Sequence, residues 1–213
     1  MDFIPSAGVI GAFTLAAAIL ALTPGPDMTL FVSRALTQGR AAGFAAMFGA
    51  YSGILVHTAL AAFGLSALLA ASPQAFLAVK VAGALYLVWL AIEALRHGSA
   101  LTLERRNMPR QALLQTWLTG IAINLLNPKI VLFFVTFLPQ FVSAGDPDAA
   151  GKLAFLGLYF MIVSLPITSA MVFAADRFSA LLRRSRRVTR AIDYLFAGVF
   201  GAFAARILLT RAG

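Results

Sequence analysis

Long apolar runs, separated by short polar breaks, dominate the pattern of residues along this chain. Between Asp2 and Asp27, and again from Ala41 to Val79, the sequence contains no Asp, Glu, Lys or Arg. A helix that crosses a bilayer needs about 20 predominantly apolar residues. The runs therefore predict six membrane-spanning helices, over about Val9–Ser33, Ala41–Leu69, Phe76–Leu95, Leu113–Phe141, Leu153–Ala175 and Ile192–Leu209.

Prolines break two of these runs from within. The first span is interrupted near Thr23-Pro24 and Pro26, and the fourth at Asn127-Pro128. Thr23-Pro24 and Asn127-Pro128 each have the order of a helix N-cap followed by a proline at the first helical position. We therefore expect each break to start a new half-helix, and paired broken helices are typical of transporter binding sites.

Composition supports a membrane protein and excludes a sizeable soluble domain. Of the 213 residues 61% are hydrophobic and 12% charged, whereas soluble domains are nearer half apolar and a quarter charged. The net charge of +9 comes from basic residues between the apolar runs, which predicts orientation in a membrane and no nucleic-acid binding. The absence of cysteine excludes disulfides and thiolate metal sites.

The basic residues also predict the topology. Loops 1–2, 3–4 and 5–6 fall on one predicted side of the membrane. They hold twelve basic residues: Arg34, Arg40, Arg96, Arg105, Arg106, Arg110, Arg177, Arg183, Arg184, Arg186, Arg187 and Arg190. Because positively charged loops stay cytoplasmic, both termini are expected outside.

The two halves of the chain, about 1–100 and about 111–213, resemble each other. Three pairs of segments match in the same order: Pro26-Asp27 with Pro128-Lys129, Gly43-x5-Gly49-x-Tyr51 with Gly151-x5-Gly157-x-Tyr159, and Ala82-Gly83 with Ala197-Gly198. An odd number of spans in each half would insert the second half upside down. The sequence thus predicts one all-α transmembrane domain over residues 1–213, built from two inverted three-helix repeats with helices 1 and 4 broken.

Asp27 and Lys129 place opposite charges at membrane depth. Such a charge costs roughly 2.5–3.5 kcal/mol or more unless it is paired or hydrated, so both residues are candidates for function. They either form a buried ion pair that locks the repeats together, or divide a zwitterion, with Asp27 binding its ammonium and Lys129 its carboxylate. These two interpretations are compatible. A pair of structural proline kinks is the alternative to a site.

Other polar residues occur at the same depth. His57, like Asp27, is a candidate for proton coupling because histidine titrates near neutral pH; a hydrogen-bonded packing role is equally consistent. Asn124 and Tyr86 are further candidates for substrate binding. The remaining polar positions noted here are Tyr51, Tyr159, Ser164 and Thr168.

Enzyme chemistry has no signature in this chain. There is no H-E-x-x-H and no G-x-S-x-G. His57 and His97 fall in different regions and cannot make a histidine-rich metal cluster. We therefore expect no enzyme activity, no metal and no cofactor.

Three motifs resemble the signatures of a known family. Thr23-Pro24-Gly25-Pro26-Asp27 ends the first apolar run, Lys80–Leu87 lies in the third, and Asn127-Pro128-Lys129 precedes Leu132-Phe133-Phe134. Together they resemble the LysE/RhtB family of bacterial amino-acid exporters, nearest to its RhtB branch. The resemblance implies a multi-pass inner-membrane antiporter that exports neutral amino acids or close derivatives, such as homoserine, threonine or leucine-like residues, driven by protons.

The motifs and the polar residues at depth define the candidate substrate-binding set. It consists of Thr23, Pro24, Gly25, Pro26, Asp27, Tyr86, Asn124, Asn127, Pro128 and Lys129. The expected partners are a small amino acid, protons and the lipid bilayer. The oligomeric state is open, a homo-oligomer included.

Two other classes of function remain open. One is an inorganic-ion transporter or channel of the same superfamily, although with at most one acidic residue in each break region a divalent cation would lack hard oxygen ligands. The other is a structural membrane protein without transport, although purely structural spans have no use for broken helices. The sequence does not determine which amino acid is moved.

Overall fold

The described structure is helical, and none of its residues lies in a β-strand. The computed structural model describes residues 4–97, 111–143, 146–184 and 186–209. We number its helices in chain order: α1 (Ala7–Leu22), α2 (Pro26–Gln38), α3 (Arg40–Ala71), α4 (Pro73–His97), α5 (Leu113–Leu125), α6 (Pro128–Phe141), α7 (Ala149–Phe173), α8 (Ala175–Arg184) and α9 (Arg186–Leu209).

Two helix pairs are bent at short breaks, at the positions where the first and fourth predicted spans are interrupted. The pair α1/α2 and the pair α5/α6 each bend by 52°. Within the described residues, α3 and α7 are long and apolar enough to cross a membrane, and each bent pair could count as a further span. The structure thus supports two to four spans by length and composition, and the arrangement of six in an inverted repeat stays a prediction.

The first break differs from its prediction. Helix α2 begins at Pro26, preceded by Gly25 in an extended conformation (φ −174°, ψ −179°) with no side-chain cap. Because the residue before a proline is sterically disfavoured in the α region, Pro26 keeps Gly25 out of the helix. Thr23 instead ends α1, where its Oγ1 donates to the Ile19 carbonyl at 2.7 Å. The prediction of Thr23-Pro24 as cap and first helical residue is therefore wrong.

The second break follows its prediction. Helix α6 begins at Pro128, and the preceding Asn127 accepts a hydrogen bond from the Lys129 backbone N–H at its Oδ1, 3.1 Å away. An N-cap side chain satisfies one of the N–H groups that the first turn leaves without a partner. The Asn127-Pro128 prediction is confirmed.

Several basic residues assigned to loops lie in helices. Arg34 belongs to α2, is only 4% exposed, and donates its Nη2 to Gln111 Oε1 at 2.6 Å. Gly39 alone links α2 to α3, with a φ of 92° that favours glycine. The basic residues from Arg177 to Arg190 belong to α8 and α9. The loop assignments for 1–2 and 5–6 are wrong because helices continue beyond the apolar runs; residues 105, 106 and 110 lie outside the described residues.

Helix α3 packs closely against α5 through glycines. A Cβ at Gly49 would collide with the Trp117 carbonyl, and one at Gly120 would collide with the Ala46 carbonyl. Small residues at such positions let two backbones approach, as is common between membrane helices. These glycines therefore fix the distance between α3 and the broken pair α5/α6.

Matched residues of the two halves contact elements that do not correspond. Tyr51 of α3 contacts hydroxyl groups of α7, whereas its match Tyr159 in α7 contacts Thr14 of α1 at 2.9 Å. A Cβ at Gly49 would meet Trp117 of α5, whereas one at its match Gly157 would meet Thr58 of α3 at 2.5 Å. These contacts therefore do not test the inverted repeat, which stays a prediction.

The third match in the sequence is not symmetrical either. A Cβ at Gly83 would collide with the Thr136 side chain, because α4 packs against the π-helical part of α6, Phe133–Phe137. A Cβ at Gly198 would meet none of the described atoms within 4 Å. The two glycines therefore serve different packing environments.

Candidate substrate-binding site

A cavity lies where both helix breaks meet α3 and α7. It holds about 420 Å³ of empty space, its open mouth included. Asp27 and Lys129, from the first turns of α2 and α6, both line it. The other lining residues are mainly apolar, with three hydroxyl-bearing residues among them: Leu20, Ala21, Met28, Phe31, Ala50, Ile54, Ile130 and Phe160, together with Tyr51, Ser164 and Thr168.

Lys129 is held by the end of the first half-helix. Its Nζ donates to the Thr23 carbonyl at 2.7 Å and to the Leu20 carbonyl at 3.2 Å. The last carbonyls of a helix lack intrahelical partners and carry partial negative charge, so an ammonium is stabilised there. A Cβ at Gly25 would lie 3.2 Å from Nζ, so this glycine leaves room for the ammonium group. These two bonds use two of the three N–H donors of the ammonium group.

Asp27 is held by the second half of the chain. Asn124, itself fully buried, donates its Nδ2 to Asp27 Oδ2 at 2.8 Å. The other carboxylate oxygen, Oδ1, is buried without a hydrogen-bond partner. Among the described residues, no ion pair or hydrogen bond joins Asp27 to Lys129. Each charge is thus bound by the opposite half, and the side-chain amide of Asn127, whose Nδ2 is buried without another partner, also interacts with the Asp27 carboxylate.

His57 lies beside this acidic part of the site. Its Nε2 is 3.4 Å from the backbone carbonyl oxygen of Asn124, and its ring stacks on Phe134 with centroids 5.6 Å apart. A Cβ at Gly53 would lie 2.5 Å from Asn124 Oδ1. Asn124 therefore connects His57 to Asp27 and depends on Gly53 for its position.

The predicted set divides into lining residues and supporting residues. Asp27 and Lys129 line the cavity. The others lie at the two breaks or on α5 and support these charges: Thr23, Pro24, Gly25, Pro26, Asn124, Asn127 and Pro128. Tyr86 belongs to α4, and its side chain lies outside the described part of the chain. Within the described residues, no group of three His, Asp or Glu side chains is placed to hold a metal ion.

Sequence reasoning left one part of the cavity out of the set. Tyr51 Oη lies 2.8 Å from Ser164 Oγ and 3.0 Å from Thr168 Oγ1, and all three residues line the cavity. The spacing of four residues between Ser164 and Thr168 puts both on one face of a helix. That spacing could have indicated a pair of hydroxyl groups on one helix face from the sequence, but their contact with Tyr51 is visible only in the fold.

The bent apolar helices and the charged cavity at their breaks define a membrane transport protein. The model of the LysE-type translocator family matches residues 18–211, and the chain belongs to that family. Members of this family are transporters, so the chain is not an enzyme.

Several relatives cover nearly the whole chain. The homoserine/homoserine lactone efflux protein of Salmonella typhimurium is 28% identical over 89% of this chain and 90% of its own length. A leucine efflux protein of an Enterobacter species is 27% identical over 93% and 92%. An uncharacterised membrane protein of Vibrio cholerae is 32% identical over 89% and 91%. No solved structure matches the chain.

Proposed function

We propose that this protein exports a zwitterionic amino acid, or a close derivative, across the bacterial inner membrane as a proton-coupled antiporter. The observation that carries the proposal is the cavity in which Asp27 and Lys129 meet, each from the first turn of a half-helix in a different half of the chain. Relatives named as efflux proteins for homoserine and for leucine support this class of substrate.

The chemistry of the two charges fits the two ends of an amino acid. The free Oδ1 of Asp27 takes an N–H of the substrate ammonium. The remaining N–H of Lys129 takes the substrate carboxylate. Both interactions form in a largely apolar cavity, where charge-assisted hydrogen bonds are stronger than in water.

We place this site near the middle of six spans. In this arrangement α4 and α9 complete the two repeats, α1/α2 and α5/α6 each form one broken span, and both termini face outward. Alternating access then follows from rocking the two repeats against each other around the cavity. The tight glycine contact between α3 and α5 joins one helix from each repeat, so we expect the rocking motion to pivot or slide at this surface.

Proton coupling involves Asp27 and His57. Asn124 donates a hydrogen bond to Asp27 from its side-chain amide, and its backbone carbonyl lies next to His57. Protonation of Asp27 would weaken its hold on the substrate ammonium and release the substrate on the outer side. The chain has no G-x-x-x-x-G-K-[ST] motif for ATP, so an ion gradient is the expected energy source.

Inside-out vesicles with an acidic lumen test this function. Labelled homoserine and leucine are offered, and concentrative uptake of at least one should disappear in Asp27→Asn and in Lys129→Gln. Two matched charge removals at exposed residues outside the cavity, Asp148→Asn and Arg177→Gln, should transport normally. Uptake that survives in either site variant would remove that residue from the site.

The same vesicles test the coupling. An ionophore that collapses both the pH difference and the membrane potential should abolish accumulation of the substrate. Undiminished accumulation would mean that another ion or a counter-transported solute drives the cycle.

A further inference from the structure

We propose that Tyr51, Ser164 and Thr168 recognise a hydroxyl group on the side chain of the transported amino acid. The protein would then select short hydroxylated amino acids over aliphatic ones of the same shape. This inference rests on the proposed function, because the same cavity must bind the substrate backbone at Asp27 and Lys129.

The position of the three hydroxyl groups fits this role. They lie on α3 and α7, whereas the two charges lie on α2 and α6, and all five residues line one cavity. A substrate held by its backbone at the charges can therefore extend its side chain toward α3 and α7. Apart from the two charges and these three residues, the cavity lining is apolar, so a polar group on the substrate side chain would find its hydrogen-bond partners in this cluster.

The protons of the cluster are already committed. Ser164 Oγ donates to the Phe160 carbonyl at 2.7 Å, and Thr168 Oγ1 donates to the Ser164 carbonyl at 3.1 Å. With both of these protons used, the Tyr51 hydroxyl is the donor to Ser164 Oγ or to Thr168 Oγ1. Each hydroxyl oxygen has two acceptor lone pairs, so the cluster offers acceptors and no free donor.

A cluster that only accepts recognises a group that donates. A side-chain hydroxyl satisfies it, whereas a methyl group in the same place makes no hydrogen bond. A lactone ring offers acceptors without a hydroxyl proton and also lacks the carboxylate that Lys129 would bind. The structure therefore favours an open-chain hydroxy amino acid over its lactone and over an aliphatic isostere.

A purely structural role would have a different consequence. The cluster connects α3 to α7 and is buried, with exposures of 6%, 2% and 7% for Tyr51, Ser164 and Thr168. If it only joined these helices, its removal would reduce transport of every substrate by the same factor. Substrate preference is therefore the readout that separates the two roles.

Homoserine and norvaline provide the test, because they differ by a hydroxyl in place of a methyl group. In proteoliposomes the wild-type protein should show a kcat/KM for homoserine at least tenfold above that for norvaline, with homoserine lactone a poor substrate. Tyr51→Phe should lower the homoserine preference by roughly three- to tenfold, the worth of one hydrogen bond. The triple variant Tyr51→Phe/Ser164→Ala/Thr168→Val, which removes all three oxygens, should abolish the preference. If the triple variant does not fold, Tyr51→Phe decides alone.

The chain offers a matched control. Tyr159→Phe removes the corresponding hydroxyl of the second half, which bonds Thr14 and does not line the cavity, and should keep the preference. Equal loss for both substrates in Tyr51→Phe, or a wild-type protein without preference, would overturn the inference and leave the exporter proposal standing. If liposomes that contain the wild-type protein transport none of homoserine, norvaline and leucine, the inference and the exporter proposal are both overturned.

Discussion

Asn124 is the residue on which the acidic half of the site depends. Its side-chain amide donates to Asp27, and its backbone carbonyl lies next to His57. Its side chain fits against α3 only because position 53 is glycine. Asn124 does not itself line the cavity, yet it fixes the position of the Asp27 carboxylate that does.

Gly53→Ala is expected to damage both stability and transport. The new Cβ would lie 2.5 Å from Asn124 Oδ1, and such overpacking typically costs about 1–3 kcal/mol. Displacement of Asn124 would also break its hydrogen bond to Asp27. Thermal unfolding in detergent and vesicle uptake measure the two effects. Gly64→Ala, where the new Cβ would meet no described atom within 4 Å, is the matched control; equal stability of the two variants would contradict the contact.

Exchange of the two charges is expected not to restore transport. In Asp27→Lys/Lys129→Asp, the new carboxylate would face the carbonyl oxygens of Leu20 and Thr23. In the wild-type protein these oxygens accept hydrogen bonds from Lys129. The new ammonium would lie in the first turn of α2, where the helix dipole disfavours a cation. Recovery of uptake in the exchanged variant would instead favour a direct ion pair between the two positions.

At the scale of elements, the ends of the helices decide where charges lie. Proline and a capping residue start α6, and a proline with an extended glycine before it starts α2. The start of α7 is instead stabilised by hydrogen bonds to Asp146 in the preceding loop. Asp146 Oδ2 accepts from Lys152 Nζ at 2.6 Å, and Oδ1 accepts from the Asp148 backbone N–H at 3.0 Å.

This loop predicts a pH dependence of stability. The hydrogen bond from Lys152 lowers the pKa of Asp146 below its ordinary value of 3.8. Because the pKa is lower in the folded state, the contribution to stability is present above the unfolded-state pKa of about 3.9 and is lost as the pH falls through the folded-state value. Asp146→Asn should therefore unfold at a lower temperature than wild type at pH 7, and the difference should shrink below about pH 4.

Two variants sharpen this comparison. Lys152→Gln should lose stability at pH 7 in the same way, because it removes the donor. Asp148→Asn should not, because Asp148 takes part through its backbone N–H and its side chain forms no cap. A constant difference between Asp146→Asn and wild type from pH 7 to pH 3 would exclude the proposed linkage.

At the scale of the whole molecule, the central question is how the helices sit in the bilayer. We expect the loop before α7 outside and the start of α9 in the cytoplasm. Because the chain has no cysteine, single cysteines report sidedness without background. Ser143→Cys and Arg187→Cys, both exposed, should react with a membrane-impermeant maleimide only from outside and only from the cytoplasm, respectively. The opposite result at both positions would reverse the orientation.

Local features of the amino-acid sequence were enough to predict the helical membrane class, the two helix breaks and the charge beside each break. These features are local: apolar length gives a helix that can cross a bilayer, and Asn127-Pro128 specifies its own cap. The start of α2 was mispredicted because two nearby prolines competed, and the steric effect of the second on Gly25 prevailed.

The groups that bind the two charges could be identified from the packed helices and not from the sequence. Asp27 and Asn124 are 97 positions apart in the chain, and Tyr51 and Ser164 are 113 apart, so their contacts depend on the packing of whole helices. The sequence left open whether Asp27 and Lys129 bind each other; the packed chain gives each charge a partner from the opposite half. The physical reason is that local sequence determines where a helix forms and where it begins and ends. A hydrogen bond between distant residues depends in addition on how closely the helices pack, which here is set by glycine contacts.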